Sequence, residues 1–109
     1  IIDYSMENEL KLVLFHALNV IHSMSRQEIV EGSFTYYATM PEKVSGYLYR
    51  IYFSNESLCI NPMGSPKLAC ENAYLGDIKT KGSFLSGGRM RVTYSTNSSE
   101  SFVELGSAY

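Results

Sequence analysis

The first 25 residues carry a hydrophobic pattern with the period of an α-helix. Apolar side chains recur at spacings of three and four from Leu10 to Met24, which places them on one face of a helix. Ser5 precedes this stripe and is a residue type that commonly caps the amino terminus of a helix. We therefore predict an amphipathic helix over about 5–25.

The apolar surface of this helix is wider than one stripe. Leu12, Phe15 and Val20 lie outside the main series and extend the hydrophobic face. A face of this width predicts that the helix lies across a sheet, or that a partner covers part of it as well. We expect these three side chains to be exposed if the isolated domain is a monomer, and buried if it forms a dimer.

After Gly32 the hydrophobic period changes from that of a helix to the alternation of β-strands. A glycine pair within 86–88 predicts a hairpin between the two strands that flank it. The predicted strands lie at 33–40, 46–53, 57–61, one or two within 67–84, 89–94 and 101–105.

These elements predict one domain over 1–109, with a β-domain at about 33–105. The expected fold class is α+β. An amphipathic amino-terminal helix is packed on an antiparallel meander sheet of five to seven strands.

Charge and hydropathy argue against nucleic acid as a partner and against a membrane-spanning segment in this sequence. The formal charge is −2, and the nine basic residues are scattered along the sequence, so a basic patch for nucleic acid is not expected. No window of about 18 apolar residues is present, so the chain contains no predicted membrane span.

The sequence shows no constellation of catalytic residues. His16 and His22 are six residues apart, which separates them by roughly 120° around a helix, so they do not form a metal-binding pair. Phosphate-binding, dinucleotide-binding and serine-hydrolase motifs are absent from the sequence. We predict a protein that is not an enzyme and has no cofactor or metal site.

Two glycosylation sequons fall in predicted turns. Asn55-Glu56-Ser57 and Asn97-Ser98-Ser99 both match the pattern that directs N-linked glycans in exported proteins. Asn55 and Asn97 are therefore candidate glycosylation sites, although both segments are also ordinary polar turns.

The two cysteines, Cys59 and Cys70, are separated by ten residues that include two prolines and a glycine. Three states are open: a disulfide, a pair of free buried thiols, and part of a metal site. The spacing does not fit the close pairs typical of zinc or redox motifs. It fits a strand, a turn and a returning strand, so we favour a disulfide across a hairpin. A disulfide indicates an exported protein or the interior of a hyperthermophile.

Several stretches taken together resemble the extracellular domains of archaeal type IV pilin-like proteins, which are exported with a class III signal peptide. The similar stretches are LKLVLFHALNVIHSM (10–24), YYATMPEKVSGYLYRIYF (36–53), SLCIN (57–61) and FLSGGRMRVTY (84–94). In the family an apolar helix continues into an amphipathic segment, and a small β-domain follows.

This resemblance implies a non-enzymatic structural protein at the cell surface. It would be a structural or adhesive subunit, or an accessory component, of a type IV pilus or archaellum-type filament. Its partners would be other copies or other pilin-like subunits, contacted through the amino-terminal helix. The family's signal peptide and membrane-embedded half-helix have no counterpart in this sequence, so contact with a membrane would require an upstream segment.

A second hypothesis is a secreted binding module. Tyr47, Tyr49 and Tyr52 would line a ligand groove between the helix and the sheet. A deep apolar pocket would favour this function, and a filled core would argue against it.

Overall fold

A computed structural model describes residues 2–25, 32–97 and 100–108, with side chains for 7–25, 32–97 and 100–107. Within these residues the chain forms one helix and seven strands. The elements are α1 (Ile2–Ser25), β1 (Gly32–Ala38), β2 (Tyr49–Ser54), β3 (Ser57–Pro62), β4 (Ala69–Asn72), β5 (Lys79–Leu85), β6 (Arg89–Thr96) and β7 (Ser101–Ala108).

The seven strands form a single mixed sheet in the order β1-β6-β7-β5-β2-β3-β4. Neighbouring strands are antiparallel except β5 and β7, which run parallel. The predicted fold class, α+β with a helix packed on an antiparallel meander, is therefore wrong: the domain is mostly β, and its sheet is mixed.

The carboxy-terminal strand is responsible for this difference. β7 lies between β5 and β6, so the predicted hairpin between these two strands does not form. Ser86, which follows β5, is bound to β2 instead: its backbone N–H donates to the carbonyl of Tyr49 at 2.9 Å, and its hydroxyl accepts from the Tyr49 N–H at 2.8 Å. Both residues are buried, so this contact holds the end of β5 beside β2 rather than opposite β6.

Gly82 makes room for the parallel pair. It has a φ of +92°, and a Cβ atom at this position would collide with the backbone carbonyl oxygen of Leu105 in β7. Only glycine combines this backbone conformation with such a close approach. The pairing of β5 with β7 therefore depends on a residue that sequence patterns identify only as a turn or bulge signal.

The hydrophobic core is shared by α1 and one side of the sheet. The main stripe of α1 is buried, as the helical period predicts. In β2 and β6 the buried residues alternate with less buried ones, whereas β3 has three consecutive buried residues. The largest fully buried strand side chains are Tyr49, Ile51, Leu58, Ile60, Phe84, Met90, Val92 and Val103. The opposite side of the sheet, which faces away from the core, is mainly polar.

Candidate functional site

The two cysteines form a disulfide, which confirms the predicted staple. Cys59 in β3 and Cys70 in β4 are direct partners in the antiparallel register, with their Cα atoms 4.0 Å apart. The Asn61 side chain closes the intervening loop by donating to the carbonyl of Lys67 at 2.6 Å. Because disulfides persist in oxidising compartments, this bond indicates a non-cytoplasmic environment.

Asn55 occupies a two-residue turn between β2 and β3. It is exposed, with a φ of +55°, a conformation that asparagine tolerates better than most residues. Ser57, the hydroxyl residue of the same sequon, begins β3 and is half-buried. The turn presents the asparagine to solvent, while its modification stays a prediction.

Asn97 is also exposed but its side chain helps to hold a turn. Its Oδ1 accepts from the backbone N–H of Glu100 at 2.9 Å, and its own N–H donates to the carbonyl of Glu100 at the same distance. Ser98 and Ser99 lie outside the described residues. A glycan at Asn97 therefore stays a prediction as well.

The three tyrosines proposed to line one groove are placed apart. Tyr49 is fully buried in the core, where its hydroxyl donates to the carbonyl of Pro41, and burial raises the pKa of its phenol. Tyr47 is exposed in the turn before β2, and Tyr52 points to the polar side of the sheet. These side chains do not form a common site.

A different groove lies between the carboxy-terminal half of α1 and the edge strand β1. Its volume is about 430 Å³, within the range of small-molecule sites. Among the described residues, Val20, Met24, Phe34 and Tyr36 give it an apolar wall, and His16 contributes a polar group. The sequence hypothesis placed a groove between the helix and the sheet but assigned other residues to it. The residues that line this groove are 10 to 20 positions apart and meet only when β1 pairs with β6.

The outer face of α1 carries exposed apolar side chains. Leu12 is 70% exposed and Phe15 is 46% exposed, as we expected for an isolated domain. Val20 differs, since it is half-buried and packs against the core. Leu12 and Phe15 are three residues apart on a helix and therefore share one surface, which we call the outer helix face.

The predictions about the two histidines, a metal site and a membrane span concern the described residues as well. His16 is exposed and His22 is half-buried, and no group of three or more His, Cys, Asp or Glu residues in the described chain is arranged to hold a metal ion. Within the same residues, no helix has both the length and the apolar character required to cross a lipid bilayer.

The fold and these features define a class: a small, mostly β domain with a mixed seven-stranded sheet, a disulfide across two edge-proximal strands and an exposed apolar helix face. Comparison with models of protein families, with curated proteins and with solved structures gives no match to this chain.

Proposed function

We propose that this chain is an exported, non-enzymatic subunit of an extracellular assembly at the cell surface, of the pilin-like kind that its sequence resembles. The outer helix face packs against a neighbouring copy in this proposal. The observation that carries it is the exposure of Leu12 and Phe15 on the side of α1 away from the core. The disulfide supports the exported environment.

The outer helix face is large enough to contribute to an interface. Burying a leucine or phenylalanine side chain fully stabilises an association by about 1.5–3 kcal/mol. Leu12 is 70% exposed and Phe15 46% exposed, so most of that gain for the leucine and nearly half for the phenylalanine is still available to a partner. Two copies that bury this face together would bring four such side chains into contact.

Sedimentation velocity over a range of protein concentrations tests this proposal. We expect concentration-dependent association of the unmodified chain and a monomer for the double variant Leu12→Gln/Phe15→Gln. Leu68→Gln is the matched control, because Leu68 is 55% exposed but lies in the loop between β3 and β4. A monomeric unmodified chain at every concentration, or equal loss of association in the control, would overturn the role of this face.

The groove between α1 and β1 favours a second candidate function, a secreted binding module for a small apolar ligand. An anilinonaphthalene sulfonate dye provides a probe, since its fluorescence rises in an apolar environment. Tyr36→Ser should weaken dye binding, whereas Tyr47→Ser changes a similarly exposed tyrosine outside the groove and should not. Unaltered dye binding by Tyr36→Ser would exclude the groove as the site.

A further inference from the structure

The polar side of the sheet collects basic residues that are far apart in the sequence. Five of the nine lysine and arginine side chains belong to this side. They are Arg50 on β2, Lys79 and Lys81 on β5, and Arg89 and Arg91 on β6. Three of them alternate with buried neighbours on β2 and β6. Lys79 and Lys81 pair with Phe102 and Glu104, the two residues that flank the buried Val103 on β7. The order β6-β7-β5-β2 places these three strands within one continuous surface, which we call the basic sheet face.

The charge of this face is opposite to that of the chain as a whole. Glu104 on β7 is the one acidic residue that the described strands contribute to it. Four basic and ten acidic residues are left for the rest of the chain, which gives that part a formal charge of −6, against −2 for the whole chain. The basic residues are scattered along the sequence, but the strand order brings five of them together on this face.

Four of the five cations on the basic sheet face are available to a ligand. Glu100 pairs with Lys79 at 2.9 Å, but within the described residues no salt bridge involves Arg50, Lys81, Arg89 or Arg91. An array of unpaired cations repels itself unless a polyanion or salt neutralises it. This arrangement therefore favours an acidic partner.

Aromatic rings on the same face are covered by these cations. The Arg50 guanidinium lies 5.5 Å from the Tyr52 ring centroid, and the Lys81 ammonium lies 4.4 Å from that of Phe102. Arg89 lies 5.6 Å from the ring of Tyr37 in the same way. Single-stranded nucleic acids need open ring faces on which bases stack. Here a cation occupies one face of each ring, so the feature presented to a ligand is positive charge.

Arg91 is accommodated by a glycine on the neighbouring strand. A Cβ atom at Gly106 of β7 would collide with the Arg91 guanidinium, which therefore lies directly over the glycine backbone. The side chain crosses the sheet surface and extends the basic sheet face toward β5. A planar guanidinium at the surface binds a carboxylate through two parallel hydrogen bonds.

We propose that the basic sheet face binds an acidic polysaccharide that carries carboxylate groups. Three strand spacings separate β6 from β2, so the cations span roughly 14 Å and match a polymer rather than one sugar unit. Three of the four available cations are arginines, which suits carboxylates. The proposal does not rest on self-association through α1, because the two surfaces lie on opposite sides of the core.

Isothermal titration with polygalacturonate at low ionic strength tests this proposal. The variant Arg50→Gln/Arg89→Gln removes two exposed cations of the face and should weaken binding by about fivefold to thirtyfold. Lys11→Gln/Lys43→Gln removes the same charge from exposed positions elsewhere and should bind nearly as the unmodified chain does. Arg50→Lys/Arg89→Lys keeps the charge but loses the guanidinium groups. Its affinity should lie between that of the unmodified chain and that of Arg50→Gln/Arg89→Gln.

Dextran and a thymine-only DNA strand complete the experiment as a neutral polymer and a polyphosphate. We expect no binding of dextran, weaker binding of the DNA, and an affinity for polygalacturonate that falls as salt is added. Absence of polygalacturonate binding, tighter binding of the DNA, salt-independent binding, or equal losses in the two glutamine variants would each overturn the proposal. Circular dichroism of every variant verifies that the fold is retained.

Discussion

Replacement of Gly82 by alanine tests the parallel pairing of β5 with β7, the feature that sets this sheet apart from a meander. The new Cβ atom would meet the carbonyl oxygen of Leu105, which belongs to the backbone of β7 and has no rotamer by which to move away. The variant must therefore separate the two strands locally or distort its own backbone.

The expected loss of stability has two parts. A non-glycine residue at a φ of +92° costs about 1–2 kcal/mol from backbone strain alone. Moving β7 away would weaken about two ladder hydrogen bonds, at about 1 kcal/mol each. We therefore expect Gly82→Ala to lower the free energy of unfolding by about 3–4 kcal/mol, a large fraction of the stability of a small domain.

Gly64→Ala separates these two parts. Gly64 has a φ of +85°, close to that of Gly82, but a Cβ atom there would have no neighbour within 4 Å. This control should lose only the strain contribution, about 1–2 kcal/mol. Urea denaturation followed by circular dichroism measures both variants. Equal losses would refute the close approach of Leu105 to Gly82, and with it the argument for why β7 enters the sheet at this position.

Three further substitutions test separate contacts. Ser86→Ala leaves the buried N–H of Tyr49 without its acceptor and should cost about 1–3 kcal/mol in urea denaturation. Ser83→Ala, at an exposed position on β5, should cost little, and equal costs would contradict the assigned bond. Reduction of the disulfide, or Cys59→Ala/Cys70→Ala, should lower stability by about 3 kcal/mol in the chain-entropy account of a loop of 11 residues, and unchanged stability on reduction would contradict the bond. Burial raises the pKa of the Tyr49 phenol, so in the unmodified chain this group stays neutral in the folded state at a pH where it ionises in the unfolded state. Tyr49→Phe has no such group. The unmodified chain should therefore lose stability relative to Tyr49→Phe as the pH rises above about 10, by at most about 1.4 kcal/mol per pH unit. A difference between the two proteins that stays constant over this range would contradict the burial of the phenol.

Local features of the fold were predictable from the sequence. The period of α1 and the alternation within strands depend on neighbours along the chain, and the predicted helix at about 5–25 corresponds to Ile2–Ser25. The helix begins three residues earlier than predicted, so Ser5 lies within it and is not its cap. The disulfide was predictable for a similar reason, since the turn residues between Cys59 and Cys70 return the chain beside itself.

Strand order was not predictable by the same reasoning. β7 pairs with β5 across more than 20 residues of sequence, and nothing in either strand's alternation specifies the partner. The glycines at 87 and 88 indicate a hairpin on local grounds, but the buried contact between Ser86 and Tyr49 overrides them. The basic sheet face and the groove beside β1 follow from this order, so the sequence indicated neither the face nor the residues that line the groove.

Assembly through the outer helix face should strengthen polysaccharide binding by the basic sheet face. α1 and the basic sheet face lie on opposite sides of the core, so copies joined through Leu12 and Phe15 would each leave their cations exposed. Exposed ion pairs contribute only about 0–1 kcal/mol each, so one copy alone would bind a polysaccharide weakly. Repetition of the face in an assembly raises the overall affinity without any new contact. Leu12→Gln/Phe15→Gln should therefore weaken retention on an immobilised polygalacturonate surface while leaving the affinity for short oligogalacturonates unchanged. A loss of both would indicate that the helix variant disturbs the sheet itself, and a loss of neither would separate polysaccharide binding from assembly.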